Sequence, residues 1–195
     1  MNAPWTFVPT IGGLTPPHER VARHLDVPSV EPVQTFLPHP DFEQSARALD
    51  LKRLGKQRVE GLQVVRGLTV PTYGWRHHPA VKMWRGHLEA LGRYTLTCCE
   101  VWTEGERADT CAATVVLDLA EAGVIRVRSE AELREAGAMP YWLGDPDFHR
   151  SHRSALLRKD PDHYGPLFPG VPDDLPYIWP APAEPVPAEP VPDDQ

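Results

Sequence analysis

The sequence has few of the residues that build disulfide frameworks, metal sites or membrane spans. Its 195 residues include only three cysteines, the adjacent Cys98 and Cys99 and the separate Cys111. No Cys-x-x-Cys pair is present, so neither a disulfide framework nor a zinc site is indicated. No run of 18 apolar residues occurs, and the first residues lack the basic and apolar segments of an export signal. We therefore expect a cytoplasmic protein that contacts no membrane.

Lysine is also scarce, and the charge of the chain is distributed unevenly. Arginine outnumbers lysine 16 to 4, and the formal net charge is -7. Residues 169–195 carry -6 of this charge, whereas residues 33–168 are neutral as a whole. The acidity therefore belongs mainly to the C-terminal tail and does not exclude a nucleic-acid partner for the central part of the chain.

Proline divides the chain into three parts. Of the 23 prolines, six lie in residues 1–32 and nine in residues 169–195, and Pro-Ala-Glu-Pro-Val occurs twice in succession from Pro182. Such segments cannot bury enough apolar surface to fold alone. We expect a loosely ordered N-terminal arm over residues 1–32, one domain over residues 33–179, and a disordered Pro-rich acidic tail over residues 180–195.

Apolar residues in the central part recur at helical spacing. Strand-like residues are confined to 124–127, which is too little for a sheet. Capping residues and apolar stripes predict helices over residues 41–49, 51–68, 79–104, 109–122, 129–136 and 148–159. The predicted fold class is therefore mainly α, a compact multi-helix single domain with disordered proline-rich arms at both ends.

The predicted helix over residues 51–68 has a polar outer face. At 100° per residue this face carries Arg53, Lys56, Gln57 and Glu60. Arg58 instead falls among the apolar positions, so we expect it to have a buried partner.

Basic residues are concentrated in two segments. Residues 51–93 hold nine Lys/Arg against two acids, and residues 149–159 add four more basic side chains and no acid. If the two segments fold side by side, the joint surface can follow a phosphate backbone; otherwise these residues are solvated helix faces. The histidines have no Cys or carboxylate at ligand spacing, so we expect neither a metal nor a cofactor.

Lys56 and Glu60 stand four residues apart on the basic face. Such a pair is commonly a solvent-exposed ion pair that contributes a few tenths of a kcal/mol. The alternative is chemical, because an ionised carboxylate can act as a base or stabilise a developing cation while a nearby amine attacks a sugar carbon.

Three short segments resemble one known family. The stretch Leu-Asp-Leu-Lys-Arg-Leu-Gly-Lys-Gln-Arg-Val-Glu over residues 49–60 is similar to the first helix of the pyrimidine-dimer DNA glycosylases of the phage endonuclease V type. His-Pro-Ala-Val-Lys-Met-Trp over residues 78–84 resembles the start of that family's second long helix, and residues 154–164 resemble its C-terminal helix and aromatic segment. The resemblance covers roughly residues 35–168 and indicates a distant bacterial branch.

The resemblance implies a DNA repair glycosylase and abasic-site lyase that acts as a monomer on damaged duplex DNA. Glu60 falls at the position of the family's essential glutamate, and Thr35 at that of its N-terminal threonine, whose free α-amine is the nucleophile. Here 34 residues precede Thr35, so its nitrogen is an amide. Either a later start or processing exposes an amine near Thr35, or Lys56 or Lys52 supplies it.

The predicted DNA contacts follow from the two basic segments and the resemblance together. They are Lys52, Arg53, Arg58, Arg76, His78, Lys82, Arg85, Arg153 and Lys159. Two other functional classes remain open: a noncatalytic nucleic-acid-binding or accessory protein on the same scaffold, and a helical module whose proline-rich tail docks a partner.

Overall fold

The computed structural model describes residues 33–182, and within this range the protein is built from helices. The eight described helices are α1 (Phe42–Ala48), α2 (Leu51–Thr69), α3 (Pro79–Met83), α4 (Leu88–Glu104), α5 (Cys111–Glu121), α6 (Glu130–Glu135), α7 (Pro146–Lys159) and α8 (Pro161–Tyr164). No strand is present between residues 33 and 182. The mainly α prediction is confirmed for these residues. The predicted arm over residues 1–32 and the tail beyond residue 182 lie outside the described residues.

Local capping explains where most helices begin. The Asp41 carboxylate accepts a hydrogen bond from Gln44 N at the start of α1, and Asp50 accepts from Lys52 N and Arg53 N at the start of α2. Ser129 and Glu132 form a reciprocal capping box at α6. Each of these side chains satisfies backbone N–H groups that have no partner inside the helix. These starts agree with the sequence-based predictions.

The continuous helix predicted over residues 79–104 is wrong. The structure has the short helix α3, a break over residues 84–87, and then α4. Gly86 lies in the break with φ of 82°, a left-handed conformation that glycine adopts without steric cost. The break lets the Trp84 side chain enter the core, where it is fully buried. As a result α2, with 19 residues, is the longest of the described helices.

The core forms where α2, α4 and α5 pack against one another, and α1 packs on α4. Large buried side chains from several elements meet there, among them Phe42, Trp84, Tyr94, Leu119 and Phe148. The Trp84 and Tyr94 rings stack at 6.2 Å, and the Trp142 ring meets Trp84 edge-on at 5.0 Å. Trp142 Nε1 donates to Met83 O at 3.1 Å, so the N–H group of this buried indole has a hydrogen-bond partner.

Gly61 of α2 allows this helix to pack closely against α4, and substitution of Gly61 tests the importance of this close packing. A Cβ atom on Gly61 would lie 2.7 Å from Thr95 Cγ2, and Thr95 is held by its hydroxyl bond to Leu91 O at 2.8 Å. We expect Gly61→Ala to lower the free energy of unfolding by about 1 to 2 kcal/mol, because overpacking outweighs the gain in helix propensity. Urea denaturation measures the change.

Gly74→Ala is the matched control, since nothing lies within 4 Å of a Cβ atom at that position. We expect its effect on the unfolding free energy to be within about 0.5 kcal/mol. Equal destabilisation by both substitutions would contradict a packing origin for the Gly61 effect.

Candidate functional site

The segment around Thr35 is held against α2 by Gln57. Gln57 Nε2 donates to Gln34 O at 2.8 Å, and Gln57 Oε1 accepts from Phe36 N at 2.8 Å. Gln57 is fully buried. Its predicted place on the outer face of α2 is therefore wrong, because it fills a position between Leu54 and Gly61, two other buried residues of the helix. Gln57 lies three residues after Leu54 and four residues before Gly61, and this helical spacing is the sequence signal that indicates its burial.

Thr35 lies in the interior. It is fully buried, and its hydroxyl accepts a hydrogen bond from Trp84 Nε1 at 3.0 Å. The Thr35 carbonyl accepts from the Tyr177 hydroxyl at 3.1 Å, and the next carbonyl, that of Phe36, accepts from the Tyr94 hydroxyl at 2.6 Å. Two tyrosine hydroxyls from distant parts of the chain therefore hold successive peptide groups of this segment.

Glu60 is partly buried on α2, about one turn beyond Gln57. Its negative charge acts on both tyrosines: burial raises the pKa of Tyr177 well above its ordinary value, and Glu60 raises it further. Burial is also the main cause of the raised pKa of Tyr94, to which Glu60 contributes a smaller part. Glu60 thus acts electrostatically on Tyr177, which donates to Thr35, and on Tyr94, which donates to Phe36. Neither tyrosine was predicted as a site residue.

Lys56 and Lys52 occupy other positions on α2. Both are exposed. Lys56 lies one turn before Glu60, and Lys52 lies at the first turn of the helix, next to the capping Asp50. Of the two lysines, Lys56 is therefore nearer along the helix to Glu60.

Arg58 has the buried partner that its place in the sequence required, and this partner is a carboxylate. Its guanidinium forms an ion pair with Asp109, and the exposed fractions of the two side chains are 11% and 4%. The guanidinium also lies over the Trp102 ring, 4.0 Å from the ring centroid. Asp109 further accepts a backbone hydrogen bond from Ala112 N at 2.8 Å. This pair connects α2 to the start of α5.

Arg53 joins the N-terminal end of α2 to the C-terminal end of α7. It pairs with Asp50 at 2.5 Å, and its guanidinium lies 3.7 Å from Asp160 Oδ2. Tyr164 donates to Asp50 Oδ2 at 2.6 Å. Arg53 of the first basic segment therefore lies near Asp160, which directly follows the second basic segment, and the two carboxylates compensate part of the positive charge at this junction. Arg53 itself is only 12% exposed, so its predicted position on an open outer face is wrong.

The remaining basic residues among the predicted DNA contacts differ in their exposure to solvent. Arg153 is partly buried, donates from Nε to Pro38 O at 2.7 Å and lies over the Phe168 ring. Lys159 is exposed at the end of α7. Arg76 and Arg85 are exposed and line one open groove of about 500 Å³ together with Gly67, Leu68, Gly86 and Leu88. Lys82 lies in α3 between these two arginines in the sequence.

His78, one of the predicted DNA contacts, also stabilises the local structure. Its Nδ1 accepts from Ala80 N at 3.2 Å and so caps α3. Burial lowers the pKa of His78, which favours the neutral ring that this cap requires.

Among residues 33–182, no group of three or more His, Cys, Asp or Glu side chains is placed to hold a metal ion. In the same range no helix is long and apolar enough to cross a membrane.

Comparison with known proteins gives a match to a family model over part of the chain. No curated protein and no solved structure matches the chain. A family model described as pyrimidine dimer DNA glycosylase matches residues 33–115, which include Thr35, Glu60, the groove arginines Arg76 and Arg85, and the Asp109 partner of Arg58. The similarity of this chain to the pyrimidine dimer DNA glycosylases is thereby confirmed over residues 33–115.

Proposed function

We propose that this protein is a DNA repair glycosylase and abasic-site lyase that acts on damaged duplex DNA. The observation that carries the proposal is the position of the Thr35 segment beside the part of α2 that bears Glu60. Gln57, about one turn before Glu60, forms hydrogen bonds with Gln34 O and Phe36 N on either side of Thr35. Thr35 and Glu60 both fall within the segment matched by the glycosylase family model. That family implies the substrate class, damaged DNA, and the reaction class, base excision.

Glu60 is the acid/base residue of the proposed reaction. An amine attacks C1′ of the deoxyribose, the bond from C1′ to the base breaks, and the base leaves with a proton. The sugar ring then opens: the C1′–O4′ bond breaks, O4′ takes up a proton, and C1′ forms a cationic Schiff base with the amine. A carboxylate beside this Schiff base stabilises its charge. Loss of a proton from C2′ then allows elimination of the 3′ phosphate, which nicks the strand. A glutamate in a partly buried position suits each of these steps, because low polarity strengthens its interaction with the cation.

The nucleophilic amine has two possible sources. An α-amine produced by a start at codon 33 or by processing would lie in the segment that Gln57 holds against α2. Alternatively Lys56 or Lys52 supplies the amine from α2 itself. The buried position of Thr35 favours the second source in the full-length chain, because its nitrogen is an amide and its side chain is inaccessible.

Borohydride trapping on an abasic duplex separates these possibilities. Full-length protein is expected to give a covalent adduct, and Lys56→Ala or Lys52→Ala removes it if that lysine is the nucleophile. If both variants still form the adduct, the nucleophile is an α-amine. Mass spectrometry of the natural protein's N-terminus then locates it. A wild-type protein that shifts the duplex on a gel but neither nicks nor traps it would instead be the noncatalytic DNA-binding protein of the alternative.

The groove formed by Arg76 and Arg85 is the proposed phosphate contact. Residues 61–88 contain no acidic residue, so this part of the surface has no carboxylate of its own sequence to compensate the two arginines. Arg76 Nη1 donates to Pro71 O at 2.6 Å, which fixes the guanidinium against its loop. An arginine held in this way loses little conformational freedom when it binds a phosphate.

Neutralising the groove is expected to reduce the salt dependence of DNA binding. Arg76→Gln combined with Arg85→Gln should lower the slope of log K against log salt by about 2, because two phosphates are no longer neutralised by the protein. Fluorescence anisotropy with an abasic duplex at several salt concentrations measures the slope. Arg126→Gln is the matched control, because Arg126 is 73% exposed and pairs with Glu132 outside this groove. Equal slopes for the double variant and the wild type would exclude the groove as a phosphate contact.

A further inference from the structure

A row of partly exposed aromatic rings extends from the candidate site to the basic loop before α3. The Tyr177 and Trp179 rings lie 4.5 Å apart, Trp179 meets His78 at 5.9 Å, and His78 meets Trp75 at 5.4 Å. The last two contacts are edge-to-face. We call Tyr177, Trp179, His78 and Trp75 the aromatic row. No member of it is fully buried or fully exposed as a residue.

The aromatic row begins at the candidate site. The Tyr177 hydroxyl donates to the Thr35 carbonyl, and its ring packs 4.3 Å from the ring of the buried His152. The other end of the row is followed directly by the exposed Arg76 and His77. A partly exposed ring face beside a cation is the combination that binds single-stranded nucleic acid, because bases stack on rings while the arginine contacts phosphate.

The rings of the row are held in place by hydrogen bonds as well as by one another. His78 caps α3 through its Nδ1, and His78 N donates to Trp75 O at 2.8 Å. On the other side of the row, Ile178 N donates to Ser151 Oγ of α7 at 3.2 Å, which fixes the chain between Tyr177 and Trp179. A preorganised row of rings loses little entropy on binding a flat ligand.

We infer that the aromatic row is a stacking site for an unpaired nucleobase. The inference rests on the proposed function, since a base becomes available for stacking only where the duplex is opened at a lesion. The acid-free loop that contains Arg76 favours a polyanionic ligand over other flat or apolar ligands. The ligand is therefore a nucleobase whose backbone phosphate lies next to Arg76.

The experiment compares two oligomers of equal length and charge. One is a twelve-residue oligo-dT, and the other is a twelve-residue base-free deoxyribose-phosphate analogue, each carrying the same fluorescent label. We expect the full-length wild type to bind the oligo-dT about tenfold more tightly, because each stacked base adds affinity that the base-free chain lacks. Anisotropy titrations at one fixed salt concentration give both dissociation constants.

Variants of the row test the origin of this preference. Trp179→Ala and Trp75→Ala should each reduce the preference to about twofold or less and leave the affinity for the base-free oligomer unchanged, because stacking and phosphate contact are separate terms. Trp179→Phe should retain most of the preference, since it keeps a ring. Leu117→Ala, at an exposed position on α5, is the control and should behave as the wild type. Circular dichroism verifies that each variant is folded, and the two tryptophans provide independent tests.

The outcomes distinguish the inference from the proposed function. If the wild type binds both oligomers equally, or if both alanine variants keep the preference, the stacking site is excluded while DNA contact stands. If the wild type binds neither oligomer and also fails to bind an abasic duplex, both the stacking site and the proposed function are excluded.

Discussion

Glu60→Gln is expected to lower the rate of strand nicking on an abasic duplex by about 10³-fold. Loss of a positioned acid/base group commonly costs between 10² and 10⁴ in rate, and the amide of glutamine neither takes a proton nor balances a cation. DNA affinity should remain within about twofold of the wild type, because the proposed phosphate contacts lie at Arg76 and Arg85. Single-turnover nicking and anisotropy measure the two quantities separately.

The control for this substitution is Glu121→Gln, which makes the same change at an exposed position near the end of α5. It should leave both the nicking rate and the affinity unchanged. Thermal unfolding of the two variants separates a loss of chemistry from a loss of fold. A Glu60→Gln protein that keeps more than a tenth of the wild-type rate would remove Glu60 from the proposed mechanism.

Asp109→Ala is expected to have the largest effect on stability, a loss of about 3 kcal/mol in the free energy of unfolding. The substitution leaves the Arg58 guanidinium buried without its counter-ion, and breaking a buried pair from one side is costly for this reason. The Arg58 Nε atom is already buried without a hydrogen-bond partner, so Asp109 carries most of the compensation for this charge. Urea denaturation at pH 7 gives the value.

A second arginine–aspartate pair, which joins α2 to α5 itself, provides a matched control. Arg66 of α2 and Asp118 of α5 pair at 2.7 Å, but their side chains are 39% and 19% exposed. We expect Asp118→Ala to cost under about 1 kcal/mol, because a pair with access to water is screened and its remaining partner stays solvated. Equal losses for the two alanine variants would show that burial is not the cause of the Asp109 effect.

The pH dependence of the Asp109 effect has a definite sign. Burial raises the pKa of this carboxyl, but backbone N–H donors and Arg58 outweigh it, so its pKa is lowered overall. A group with a lowered folded-state pKa stabilises the protein above its unfolded-state pKa, about 3.9 for aspartate. The difference in stability between wild type and Asp109→Ala should therefore be complete at neutral pH and shrink as the pH falls below about 4.

Several features of the fold can be read from the sequence because they depend on neighbours a few residues away. Asp41, Asp50, Ser129 and Asp145 cap helices through hydrogen bonds that span two or three residues, so the residue type and its position are enough to predict the helix start. The buried partner of Arg58 was also predictable in kind, because a charge among apolar positions requires compensation. Its identity was not, since Asp109 lies 51 residues further along the chain.

The candidate site likewise has features that the sequence predicts and features that depend on the tertiary structure. The resemblance over residues 49–60 selected Glu60 and, with it, Thr35, and no further information was needed to choose these two positions. The hydrogen bond from Tyr177 to the Thr35 carbonyl forms only when a segment 142 residues after Thr35 packs back on it, a proximity that local spacing does not contain. The break between α3 and α4 and the burial of Gln57 have the same origin. Both depend on what the packed helices place opposite them, so long-range packing overrides local periodicity at these positions.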